Sequence, residues 1–154
     1  MQARFIGLDP APFRHLFGLS DEALAQQGAM RIAADSKPGF PCRITLRDAE
    51  PGESVLLLTH HHLGGETPYR ASGPIFVREG AQSPYSDTAL PADMRARLYS
   101  VRAYNGADMM IAAEVVEGEM LKRVIAGFLE REDTAYLHLH HARRGCFACR
   151  VERA

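Results

Sequence analysis

The segment from Tyr136 to Arg150, Tyr-Leu-His-Leu-His-His-Ala-Arg-Arg-Gly-Cys-Phe-Ala-Cys-Arg, crowds imidazoles, thiols and guanidinium groups into one short stretch. Alternate side chains of a strand share a face, so His138 and His140 point together and His141 points away. Two imidazoles at that spacing can reach one metal ion or one substrate, although a third metal ligand has to come from elsewhere. Cys146 and Cys149 form a single C-x-x-C, half of the usual four-ligand zinc pattern. Their odd spacing puts the two sulfurs on opposite faces of a strand, which opposes a shared metal or a local disulfide.

Which cysteine joins the histidines depends on how the two arms of this hairpin pair. If opposed residue numbers sum to an even value, as with a loop ending in a bulge at Gly145, then Cys146, Ala148 and Arg150 share the face of His138 and His140. An odd sum brings Phe147 and Cys149 instead. The even register is the reading taken here, because it gathers two imidazoles, a thiol and a guanidinium. In that grouping His140 takes the proton of Cys146, a nearby cation favours the thiolate, and Arg150 holds a carboxylate or phosphate. The competing reading makes Cys146 a small buried hydrophobe.

Two further segments extend the candidate set. Cys42 and Arg43 follow a rigid loop, Lys37-Pro38-Gly39-Phe40-Pro41, and Cys42 offers a second thiol at a sheet end. Arg102 and Tyr104 alternate with Val101 and Ala103, so they share one strand face and can line an anion site. The run His60-His61-His62, just before Gly64-Gly65, reads as an exposed strand end. No Ser-His-Asp spacing, nucleophile elbow or H-E-x-x-H is present.

The elements that position these residues follow from hydrophobic period and turn chemistry. Strands are expected near 3–8, 30–34, 42–46, 55–58, 75–77, 98–104, 109–116, 136–140 and 146–151, with a hairpin turning at Asn105-Gly106 in a type I′ turn. Val55 to Leu58 is a short apolar run, read as a central strand buried on both faces. Ser20 followed by Asp21-Glu22, with Gly28 behind, marks a short N-terminal helix. Met120, Leu121, Val124, Ile125, Phe128 and Leu129 repeat at helical spacing, so the main amphipathic helix lies at about 119–130 with that stripe in the core. The expected fold class is α+β: a single domain over 1–154, built on an antiparallel or mixed sheet of about eight strands.

Composition bounds the rest. The chain has 154 residues, a net charge of -1 and 46% hydrophobic residues, the balance of one globular domain and not of a nucleic-acid binder. Sixteen of its cations are arginine and only Lys37 and Lys122 are lysine. No stretch approaches the roughly 20 apolar residues of a membrane span, and none resembles an export signal. Three cysteines, an odd number, read as thiols in a reducing, cytoplasmic setting.

Phe13-Arg14-His15-Leu16-Phe17, Gly39-Phe40-Pro41-Cys42-Arg43, Asp48-Ala49-Glu50-Pro51-Gly52-Glu53, Ala71-Ser72-Gly73-Pro74-Ile75-Phe76-Val77, Arg102-Ala103-Tyr104 and the His138 to Arg150 segment, in that order, resemble the family catalogued as domain of unknown function 1203. The resemblance runs over nearly the whole chain and implies a small bacterial protein without an assigned activity. The family pattern carries Asn where this chain has His141 and does not require the cysteine at Cys149, which agrees with His138, His140, Cys146 and Arg150 as the site. The leading expectation is therefore an enzyme or binding protein for a small anionic molecule. Its catalytic pair is His140 and Cys146, and its binding residues are Cys42, Arg43, Arg102, Tyr104, His138 and Arg150. One alternative is a metal-binding protein using His138 and His140 with a thiolate or carboxylate. Another is a non-catalytic assembly module, recognised by a symmetric homodimer.

Overall fold

Along Leu98–Tyr104, Tyr99, Val101 and Ala103 are buried while Ser100 and Arg102 are only half-buried, the signature of a strand with one apolar face. The computed structural model describes residues 1–154 and places this strand, β6, inside a six-stranded antiparallel sheet. The order across that sheet is β5 (Ser86–Asp87), β1 (Ala3–Ile6), β9 (Phe147–Arg153), β8 (Tyr136–His141), β6 and β7 (Met110–Glu117). A second sheet of three antiparallel strands holds β2 (Met30–Ala33), β3 (Ser54–Leu63) and β4 (Ala71–Arg78). The fold is α+β, as the patterning predicts.

The apolar face of the larger sheet is covered by the helix α2 (Leu121–Leu129), whose Leu121, Ile125 and Leu129 are fully buried against Tyr99, Val101, Leu137, Leu139 and Val151. Burying each such side chain contributes roughly 1.5–3 kcal/mol relative to leaving it in water. Of the expected stripe only Met120 falls outside, exposed in the 3-10 turn before the helix. The helix α1 (Asp21–Gln26) begins at Ser20, whose Oγ accepts from the Ala23 N–H, and closes before Gly28 at φ 71°. It packs with a 3-10 turn at Ala11–Leu16 on the smaller sheet, where Phe13, Leu16, Leu24, Leu56 and Val77 form a second core.

Three local expectations are corrected. Cys42 to Leu46 is not a strand: Leu46 N–H donates to the Cys42 carbonyl across a turn, Leu46 itself takes φ 54°, and only isolated bridges tie Pro41 and Cys42 to their neighbours. The β6–β7 hairpin does not turn in the I′ form at Asn105-Gly106. Asn105 Oδ1 instead accepts from the Ala107 and Met109 N–H groups, and the left-handed residue is Asp108 at φ 58°. β3 runs on through His60-His61-His62 to Leu63, so the first and third of these histidines turn inward rather than marking an exposed end.

The turn at Cys42–Leu46 joins the two sheets. Arg43 N–H donates to Phe76 O on β4, while Leu8 N–H, just beyond β1, donates to Arg43 O. Gly7 makes this approach feasible, since a Cβ there would stand 2.0 Å from the Ile44 carbonyl oxygen. Gly7→Ala is expected to cost about 2–3 kcal/mol, because backbone rather than a flexible side chain has to give way. Urea unfolding checks this, and a variant as stable as the parent contradicts the contact.

Candidate functional site

The C-terminal hairpin, β8 and β9, sets out both groups of reactive side chains. Its body pairs Leu137 with Val151, His138 with Arg150 and Leu139 with Cys149, the even register expected from the sequence. A bulge then intervenes, and His140 pairs with Phe147. Arg150 therefore joins the face of His138, but Phe147 takes the place expected for Ala148 opposite His140, and the alternation that would carry Cys146 to that face is broken. One extra residue divides the expected cluster in two.

The first group lies between the sheets. His138 and His140 meet His62 of β3, with ring centroids 6.0 and 4.8 Å from it, and Phe147 stacks on His62 at 5.5 Å. Tyr104 and Tyr136 stack at 5.3 Å beside His138, and the Arg150 guanidinium sits 3.9 Å over the Tyr136 ring. Arg102, opposite His138, donates only to Ser100 Oγ. His140 Nδ1 lies 2.9 Å from Gly145 O, which fixes the proton on Nδ1 and leaves Nε2 as a lone pair. That Nε2, His138 Nδ1 and His62 Nδ1 are buried without hydrogen-bond partners. Burial pushes His62 and His140 down to about 4 and His138 to about 3, and the neighbouring arginines push the same way. All three rings are neutral at pH 7. No three histidine, cysteine or carboxylate side chains are arranged to hold a metal ion, so His138 and His140 find no third ligand here.

The second group lines a cleft of about 520 Å³ on the outer side of the hairpin. The loop 38–41 forms one wall, and Arg97, His141, Arg143, Arg144 and Cys146 form the other. At its base Arg43, 2% exposed, donates from Nε to Phe147 O at 2.7 Å, from Nη1 to Pro41 O at 2.6 Å and from Nη2 to Cys146 Sγ at 3.1 Å. No carboxylate pairs with it, and burial pushes its pKa down. Arg97 differs: it grips the buried Asp48 through both nitrogens, at 2.7 and 2.5 Å. Arg143 and Arg144 are exposed on the hairpin loop and form no ion pair, and no acidic side chain lines the cleft. His141, held neutral with its pKa pushed down to about 3 by burial and by Arg43 and Arg97, packs tilted against Tyr99 with ring centroids 5.2 Å apart.

Behind Arg43 the cleft adjoins a cavity of about 20 Å³ that shares Pro41, Arg43, Arg97 and His141 with it. Tyr99, fully buried, also lines this cavity, and its hydroxyl has no hydrogen-bond partner. The space admits about one water molecule.

The family model described as a protein of unknown function, DUF1203, matches residues 39–153, well over half of the chain. The chain belongs to the DUF1203 family. Neither the curated proteins nor the solved structures contain a match. In this DUF1203 protein the matched span takes in both groups, from the loop before Cys42 to Arg150.

Of the residues singled out in the sequence, His138, His140, Arg102, Tyr104 and Arg150 come together in the inter-sheet group. Arg43 and Cys146 come together in the cleft. His140 and Cys146 are separated by the bulge, which removes His140 as the base for that thiol. Cys42 belongs to neither group: it is buried in the second core, its Sγ accepting from the Arg78 N–H at 3.2 Å. The sequence reading missed His62, Arg97, His141, Arg143 and Arg144 as site residues. The alternation of His60 and His62 beyond Val55–Leu58 was a usable signal for the first. The pair Arg143-Arg144 in a hairpin loop was one for the cleft.

Proposed function

We propose that the DUF1203 protein binds a small anionic molecule, bearing a carboxylate or phosphate, in the cleft between the 38–41 loop and the C-terminal hairpin. The observation that carries this reading is Arg43, a buried guanidinium with no acidic partner at the base of a cleft that no carboxylate lines. A buried charge is ordinarily paired, and an anion entering the cleft supplies the missing counter-charge. Arg143 and Arg144 at the rim attract it, and the planar fork suits either anion. Free Cys42, Cys146 and Cys149 support a reducing, cytoplasmic setting. No helix is long and apolar enough to cross a membrane.

Inorganic phosphate is the test probe. Against chloride at matched ionic strength, phosphate at ten times its Kd is expected to stabilise the protein by about 1.4 kcal/mol, a rise of roughly 3–6 °C in Tm. The double variant Arg143→Ser/Arg144→Ser, altered only at exposed unpaired positions, is expected to fold normally and to lose most of that rise. An unchanged Tm in phosphate, or equal rises in both proteins, rejects the reading.

A further inference from the structure

The cleft has a surface that an anion alone does not use. Phe40, in the 38–41 loop, and Phe76, on β4, both line it, and both are half-buried, so part of each ring is open to the cleft. Their centroids are 5.3 Å apart and their planes are tilted by 51°. Pro38 and Pro41, on either side of Phe40, extend this apolar surface. A volume of about 520 Å³ is that of a pocket for a whole organic molecule, typically roughly 300–1,000 Å³. A bare phosphate or carboxylate leaves most of it empty.

The aromatic surface is held in place before any ligand arrives. The Phe40 carbonyl accepts from the Ala49 N–H at 2.9 Å, and the neighbouring Gly39 N–H donates to Asp48 Oδ2 at 2.9 Å. The two prolines restrict the backbone around the ring. Arg43 reaches both sides of the pair: its N–H donates to Phe76 O at 3.0 Å, and its Nη1 donates to Pro41 O, next to Phe40, at 2.6 Å. Charge and ring surface are therefore set at a fixed, short separation, and little ordering remains to be done on binding.

We infer that the anion taken by this cleft is aromatic: a planar ring seated against Phe40 and Phe76, with its carboxylate or phosphate turned to Arg43 and to the rim pair Arg143 and Arg144. This rests on the anion-binding reading and gives that site its ligand class. Two rings set at an angle present a corner to a third, which meets them in the offset and edge-to-face contacts that aromatic groups favour, with centroids about 4.5–7 Å apart. A saturated ring of the same carbon number is thicker and has no such faces, so it gains only from leaving water.

The test is an NMR titration of the full-length protein, carrying isotope-labelled phenylalanine, with phenyl phosphate, cyclohexyl phosphate and methyl phosphate. The three share one anionic group and differ only in its attachment. Phenyl phosphate is expected to bind about tenfold more tightly than methyl phosphate, with cyclohexyl phosphate between them, and to shift the ring signals of Phe40 and Phe76 most. The same ratio is expected between benzoate and acetate, and the tighter of the two aromatic ligands identifies the anionic group. Phe40→Leu, which keeps apolar bulk without an aromatic face, is expected to reduce the phenyl advantage to about threefold or less and to leave methyl phosphate unaffected. Arg143→Ser/Arg144→Ser is expected to weaken both phosphates by the same factor and so to preserve their ratio. Cyclohexyl phosphate binding as tightly as phenyl phosphate, the largest shifts falling on another phenylalanine, or Phe40→Leu weakening both phosphates equally overturns the proposal. If methyl and inorganic phosphate bind and the phenyl advantage is absent, anion binding stands and the aromatic class falls; if no phosphate binds, both fall.

Discussion

Between pH 7.5 and pH 5 the protein is expected to lose about 4 kcal/mol of folding stability from His138 and His140 alone. Both rings are buried, 2% and 1% exposed, and their folded pKa values lie near 3 and 4. An unfolded histidine titrates at about 6.5. Below that value the unfolded chain takes up protons that the folded chain refuses. The contribution is therefore complete above about pH 7 and declines as the pH falls from 6.5 toward the folded values. At pH 5 each ring is about 1.5 units below its unfolded pKa, a loss of about 2 kcal/mol apiece. His62 and His141 are displaced in the same direction and add to the loss. Glu79 and Asp48 do not compete in this window: both have lowered pKa values, so their contributions are lost only below about pH 4.5. Urea unfolding at pH 7.5, 6.5 and 5 measures the slope. His138→Phe is expected to remove about 2 kcal/mol of the loss, roughly a quarter of it, and a parent protein equally stable at all three pH values shows that these rings are not held neutral.

Replacing Arg97 by methionine is expected to cost about 3–5 kcal/mol, because it strands a buried carboxylate. The Asp48 side chain is 1% exposed and takes both guanidinium nitrogens together with the Gly39 N–H at 2.9 Å. Burial by itself raises the Asp48 pKa; Arg97 and the Gly39 N–H outweigh it and hold the carboxyl below its usual value. The same carboxylate ties down the 38–41 loop that walls the cleft. Asp48→Asn/Arg97→Met removes both charges and is expected to recover more than half of the loss. Denaturant melts of the two variants decide the matter: a single variant within about 1 kcal/mol of the parent means that the pair is not as desolvated as its exposure indicates.

How much of this was legible in the sequence varies with the range of the interactions. Strand faces and the stripe of α2 follow from local period, and they survive in the structure almost residue for residue. The even pairing of His138 with Arg150 was one of two registers open to the hairpin, chosen for the side chains it gathers, and the body of the hairpin adopts it. The bulge that brings Phe147 opposite His140 was not legible, because a one-residue shift in pairing leaves no mark on the alternation of either strand. That one irregularity parted Cys146 from His140. Cys42 to Leu46 misled for a related reason: its alternation is strand-like, but its hydrogen bonds go to β4, to Leu8 and across its own turn. The sequence places Arg43 among the binding residues, whereas its lack of a counter-ion appears only when residues far apart in the chain are brought together.

Arg43 donates to a carbonyl at the start of β9, its own N–H joins β4, and its carbonyl receives the chain leaving β1. It works as a rivet through the joint between two plates. The group that would meet an incoming anion is thus the group that fastens the plates, and recognition cannot be tuned there without altering mechanical cohesion. Substitutions that retune ligand preference are accordingly cheapest at the loose rim, at Arg143 and Arg144, where nothing else hangs from the side chain.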